Sequence, residues 1–146
     1  FDGSSWTNIP QTFPSAPKTN TFSTAGIQTA CISAGPGTDS IEWNGSTWTA
    51  TNNLATASSS AVHTGTVSGS VLMAGGPGYK TDIQTWDGTN WSNSSLSLST
   101  GRSQAAEAGT STASYIVCGA DGSPDHTTAT EEFNAAAVAT KTLTTG

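Results

Sequence analysis

Apolar residues in this chain of 146 residues come in short bursts, each ending in small residues. Three are in phase: Ala30-Cys31-Ile32-Ser33-Ala34-Gly35, Val71-Leu72-Met73-Ala74-Gly75-Gly76 and Tyr115-Ile116-Val117-Cys118-Gly119. About ten residues before each lies a second stretch of small residues containing a glycine: Phe22 to Gly26, Ser60 to Gly65 and Ser103 to Gly109. Bursts of four to eight residues bounded by Gly and Pro are the signature of strands. No helical period of 3.6 is sustained. The nearest, over residues 53–61, is too rich in Ser and Thr for a stable helix.

A second pattern locks these bursts into a repeat. Phe1-Asp2-Gly3-Ser4-Ser5-Trp6-Thr7 returns as Trp43-Asn44-Gly45-Ser46-Thr47-Trp48-Thr49 and as Trp86-Asp87-Gly88-Thr89-Asn90-Trp91-Ser92, at steps of 42 and 43 residues. A decayed copy begins at Phe133-Asn134, where Ala135-Ala136-Ala137 replaces the turn. Asp-Gly or Asn-Gly between aromatics predicts a hairpin with a tight primed turn, because those residues tolerate positive φ. The flanking Trp residues suit strands packed on a neighbouring sheet. Gly75 and Gly76 end an apolar strand where the chain must turn sharply. Gly35-Pro36-Gly37 and Gly76-Pro77-Gly78, with Asp121-Gly122-Ser123-Pro124 in the third copy, predict loops. Each repeat thus holds four candidate strands, and the fold class expected is all-β.

Four short strands in about 43 residues is the size of one propeller blade. The chain resembles the kelch repeat family in its apolar strand ending in Gly75-Gly76, in the acid or amide and aromatic of the next strand (Glu42-Trp43, Gln84-Thr85-Trp86, Glu131-Glu132-Phe133), and in the Asp/Asn-Gly and Trp that follow. Arg102 stands where such repeats carry an arginine entering the first strand. The resemblance implies a single partial β-propeller over residues 1–146. Residues 1–9 would give the last strand of a preceding blade, 13–50 and 55–93 two blades, and 98–144 a terminal blade. Three blades do not close a ring, so further blades in a longer polypeptide, or a second chain making a homo-oligomer, would complete it. A β-solenoid or an elongated β-sandwich remains the alternative architecture. The Ser/Thr-rich, lysine-poor texture is also similar to kelch-like repeats of predicted virion and tail proteins of marine bacteriophages.

Composition narrows the partners. Ser and Thr fill about a third of the chain, charged residues 10%, and the net charge is −6 with four Lys and Arg. No basic footprint for nucleic acid follows from this, and no apolar run has the length of a membrane-spanning helix. Cys31 and Cys118, in the first and third repeats, are expected to be free and buried.

Candidate chemistry is thin. Thr85-Trp86-Asp87-Gly88-Thr89-Asn90-Trp91 looks like a sialidase Asp-box but lacks the residue between Asp and Gly. With Arg102 the one arginine, the three-arginine carboxylate site of such enzymes has no counterpart. Kelch-type copper oxidases need His and Tyr ligands, and His63, His126, Tyr79 and Tyr115 show no such spacing; each His reads as polar surface of a β loop. Loop Asp121 to His126, containing Asp125, offers a weak oxygen set for calcium, and with Tyr79 it is the candidate binding loop. Glu131 and Glu132 would point to opposite faces of a strand. No catalytic residue, metal site or cofactor is expected. The repeated Asp2, Gly3, Trp6, Trp43, Asn44, Gly45, Trp48, Gly75, Gly76, Trp86, Asp87, Gly88, Trp91 and Phe133 read as structural turn and blade positions.

The function expected is a non-catalytic structural or binding module of an extracellular or virion assembly, such as a phage tail, fibre or capsid-surface component. Its partners would be other structural proteins of the assembly, or a surface glycan or receptor. The alternatives are part of a glycan-active propeller enzyme whose site lies on other blades, and a homo-oligomeric adhesin-like ring.

Overall fold

A computed structural model describes residues 3–6, 8–14, 22–124 and 126–135. These residues form eleven strands and no helix, and every strand pair is antiparallel. The first sheet is β1 (Ser23–Ile27), β2 (Ala30–Ala34), β3 (Ser40–Trp43) and β4 (Trp48–Ala50). In the second are β5 (Val62–Thr66), β6 (Gly69–Met73), β7 (Asp82–Trp86) and β8 (Trp91–Ser97). The third holds β9 (Ala106–Gly109), β10 (Ala113–Val117) and β11 (Thr130–Asn134). Each is a meander in which every strand pairs with the next along the chain.

The apolar bursts become β2, β6 and β10, the second strand of each sheet. The central strand β6 has both faces covered, and the two faces serve different cores. Val71 and Met73 join Val62, Ile83, Leu98, Ile116 and Phe133 in a core between the second and third sheets. Leu72 turns the other way and joins Trp86, Trp91, Ala25, Ile32 and Ala34 in a core between the first and second. Alternation along a strand feeds both interfaces at once. The first strands β1, β5 and β9 stand side by side, with β1 against β5 and β5 against β9.

Two boundary expectations change. The second unit does not end at residue 93, because β8 continues to Ser97 and Leu98 is buried behind it. Residues 3–6 and 8–9 form no strand. A lone strand has no ladder to join, since all four strands of the first sheet come from later in the chain. The fourth strand expected for the third sheet, and the Ala136-Ala137 end of the decayed turn, lie outside the described residues, as do Asp2 and Asp125.

Candidate functional site

The recurring turn is built differently from the tight primed turn the sequence predicts. Trp43 pairs with Trp48 and Trp86 with Trp91, which leaves four-residue loops at 44–47 and 87–90. Asn44 and Asp87 do not adopt positive φ; Gly45 and Gly88 do, at 92° and 93°. The Asn44 Oδ1 accepts from the amides of Ser46 and Thr47 at 3.0 and 2.9 Å. Asp87 Oδ1 accepts from the amides of Thr89 and Asn90 at 2.8 and 2.7 Å. These backbone donors hold the Asp87 carboxyl below the usual carboxylate range. The acid or amide is therefore present for its oxygen, as in Asx turns. A Cβ on Gly88 would lie 3.3 Å from the Ser68 carbonyl oxygen, so this turn also sits tightly on the β5–β6 turn.

The tryptophans before the turns have matching duties. Trp43 Nε1 donates to the Gln28 carbonyl at 3.0 Å, and Trp86 Nε1 to the Val67 carbonyl at 2.8 Å. Both acceptors lie in the turn between the first two strands of their sheet. Trp91 crosses instead to the first sheet, donating 3.0 Å to Ser40 Oγ and packing on His63 and Trp86. Trp48 is half-buried against Trp43 and Phe13, Phe133 is buried, and Trp6 is 85% exposed.

Between the sheets lie polar groups to which sequence reasoning assigned no place there. Counted from the glycine of each first strand, Thr24, His63 and Glu107 occupy one repeat position, two residues before Gly26, Gly65 and Gly109. Each glycine takes positive φ, and a Cβ at Gly65 would sit 2.5 Å from the Gly69 carbonyl oxygen and 2.6 Å from Ser70 Cα. His63 is not loop surface: it lies on β5, buried. Its Nδ1 lies 3.2 Å from the Ser23 carbonyl of the first sheet, and its Nε2 lies 2.8 Å from Ser70 Oγ. A carbonyl only accepts, so Nδ1 carries the proton and Nε2 accepts from Ser70. Desolvation lowers the imidazole to about 4 and keeps it neutral. Thr64 Oγ1 donates to the Gly109 carbonyl of the third sheet at 3.0 Å.

Arg102 has no exposed surface. It donates to the carbonyls of Thr100, Cys118 and Ala129 and pairs with Glu131. Ser58, the matching residue of the second sheet, donates 3.3 Å to the Ala74 carbonyl, the counterpart of Cys118. Gln84, the counterpart of Glu131, grips Thr56 through both its amide atoms. Glu131 accepts from the Ser99 amide at 2.6 Å. In each case a third-strand polar side chain ties down the segment entering its own sheet. Glu132 is exposed on the other face.

The candidate binding loop is a turn of the same kind. Asp121 Oδ1 accepts from the amide and hydroxyl of Ser123 at 3.0 and 2.6 Å, which lower its carboxyl with a smaller pull from the exposed His126. Tyr79, half-exposed with φ 53°, lies against Gly122, whose Cβ would be 3.2 Å from the ring. The structure thus brings Tyr79 and the Asp121 turn together at one rim. Among the described residues no group of three His, Cys, Asp or Glu side chains is placed to hold a metal. Both cysteines are free, but Cys31 is half-buried and Cys118 exposed, whereas its counterpart Ala74 is buried in the core between the second and third sheets.

A further candidate surface is the outer face of the third sheet. Ala106, Ala108, Tyr115 and Val117 point away from the second sheet, and the first three are exposed. Their counterparts by register in the second sheet are Val62, Thr64, Val71 and Met73, all buried under the third. A shallow hollow of about 240 Å³ lies on this face, lined by Ala113, Ser114, Tyr115, Glu132 and Asn134.

No family model matches the chain, and no curated protein matches it. Solved structures do, in 83 chains. The one described as "Structure of YjhT" aligns with a TM-score of 0.58 at 15% identity, over 75% of this chain and 41% of that one. The chain therefore spans about two fifths of the length of that structure. At this identity the likeness concerns the fold alone, an all-β arrangement of antiparallel sheets.

Proposed function

We propose that the three sheets are successive blades of a kelch-like β-propeller. In this reading the chain is a non-catalytic structural or binding module of an extracellular or virion assembly. The observation that carries it is the repetition of the inter-sheet contact. The first and second sheets, and the second and third, meet face to face through the same repeat positions, as blades around one axis do. Continuing that contact seats a fourth sheet of the same kind on Ala106, Ala108, Tyr115 and Val117. Asp87, Asn44 and the buried tryptophans, the residues that most resemble site residues, are engaged in turns and sheet contacts. The rim that carries Tyr79 and Asp121 is then the surface offered to a protein or glycan partner.

The test has two arms. Density-purified particles from the source are probed with an antibody to the chain, and the pure chain is applied to a glycan array whose retained glycans are weighed afterwards. The reading expects the chain in intact particles and any retained glycan unchanged in mass. Glycans cleaved or chemically altered on the array would replace it with the glycan-active enzyme. A chain found exclusively as free cytosolic monomer would remove the assembly role.

A further inference from the structure

Glu107, half-buried on β9, is the one acidic side chain among the described residues whose carboxylate oxygens are both cut off from solvent with no hydrogen bond of normal geometry. It projects from β9 onto the face of the third sheet turned to the second, beside Ile116 of the core. Beyond Ile116, in the same cross-strand row, stands Glu131, whose charge is matched by Arg102. The two strands packed on β9 are β10 and β5. On β10, Ser114 Oγ is likewise shielded from solvent and lies beside Glu107 without a hydrogen bond of normal geometry, and Tyr115 points to the opposite face. On β5, Thr64 faces the third sheet and is engaged with Gly109, while His63 faces the first sheet and is occupied by Ser70 and Ser23. No cation on these elements meets Glu107.

The matching joint between the first two sheets shows what is missing. There His63 and Ser70 satisfy each other and reach across to Ser23. Glu107 and Ser114 hold the same two repeat positions and are neighbours, yet no hydrogen bond of normal geometry joins them. An ionised carboxylate in such a place costs several kcal/mol, whereas the neutral acid costs far less.

We propose that Glu107 is a proton-operated latch on the contact between the second and third sheets: protonated, it lets the third sheet stay seated, and ionised, it drives the two sheets apart. Burial pushes the carboxyl up to about 8, against a weaker downward pull from Ser114, in keeping with this geometry. The sign follows from proton linkage. Between the ordinary value of 4.5 and about 8, the folded state holds a proton that the unfolded state has lost. Stability is thus fully present below 4.5 and declines as pH rises to about 8.

The test compares the chain with Glu107→Gln, which keeps the shape of the neutral acid. Urea unfolding and amide exchange of β9 and β10 are followed from pH 4 to 9. Relative to the variant, the folded-to-unfolded ratio of the native chain is expected to fall about tenfold per pH unit between 4.5 and 8. Protection of β9 and β10 should decline over the same interval in the native chain alone. Parallel profiles for the two proteins overturn the latch. If the variant does not fold, carbon-13 detection of the Glu107 carboxyl in the native chain decides: a midpoint near 8 sustains the proposal, and one near 4.5 overturns it.

Discussion

At the residue scale, the polar side chains that matter to this fold work from inside it. Arg102 illustrates the point, since its guanidinium is fully buried and satisfies three carbonyls and one carboxylate. Removing one partner of a buried ion pair costs about 3–5 kcal/mol, and the lower end applies here because Ala129 and Glu131 keep second donors in the amides of Cys118 and Ser99. Arg102→Met is therefore expected to destabilise the chain by about 3 kcal/mol in urea titration. Arg102→Lys should recover little of that, because one ammonium cannot replace a planar fork of donors. An unchanged unfolding midpoint in the Met variant would contradict the role given to this residue. The sequence placed Arg102 at the entry to a first strand but said nothing of its burial, because the acceptors are backbone carbonyls of residues 118 and 129, which no residue type announces. His63 was misplaced for a similar reason: a lone polar letter among small residues reads as surface until a neighbouring sheet covers it.

At the element scale, the repeated turn was legible as a turn but not in its type. Asp and Asn suit both positive φ and Asx closure, and only the pairing of Trp43 with Trp48, and Trp86 with Trp91, separates the two. The Asx account predicts that Asp87→Asn leaves the thermal midpoint nearly unchanged, since Asn44 performs the same closure in the first sheet. Asp87→Ala should lower it, because the amides of Thr89 and Asn90 lose their acceptor. Equal losses in the two variants, read by circular dichroism melting, would show that the carboxylate acts through its charge instead. The strands were easier to read. The burst centred on Val71 is buried on both sides and that centred on Ile116 on one, and a short apolar run bounded by glycine leaves few other structures open.

At the scale of the whole molecule, one class of information was absent from the sequence: which face of each sheet meets which neighbour. The 43-residue spacing fixes the repeat, yet the two cores that share β6 appear only when sheets are stacked. The joints between sheets also set the pH response. His63, lowered from 6.5 to about 4, makes stability rise with pH across that interval, because the unfolded state binds the proton that the folded state excludes. Glu107 makes it fall from 4.5 to about 8. The two slopes oppose each other between 4.5 and 6.5, so urea midpoints should be nearly flat there and decline from 6.5 to 8. His63→Phe, measured in the same way, should remove the opposing slope and leave a decline that starts near 4.5. A native profile that climbs through neutral pH would contradict the Glu107 assignment.

In the proposed propeller these sheets are consecutive members of one ring, with a further sheet on the outer face of the third. An experimental structure of the chain in its native assembly tests this most directly. The account predicts four-stranded sheets arranged about a common axis, with β1, β5 and β9 nearest to it and a further sheet seated on Ala106, Ala108, Tyr115 and Val117. A linear stack of coils, or two sheets closed into a sandwich with Tyr115 left in solvent, would contradict it.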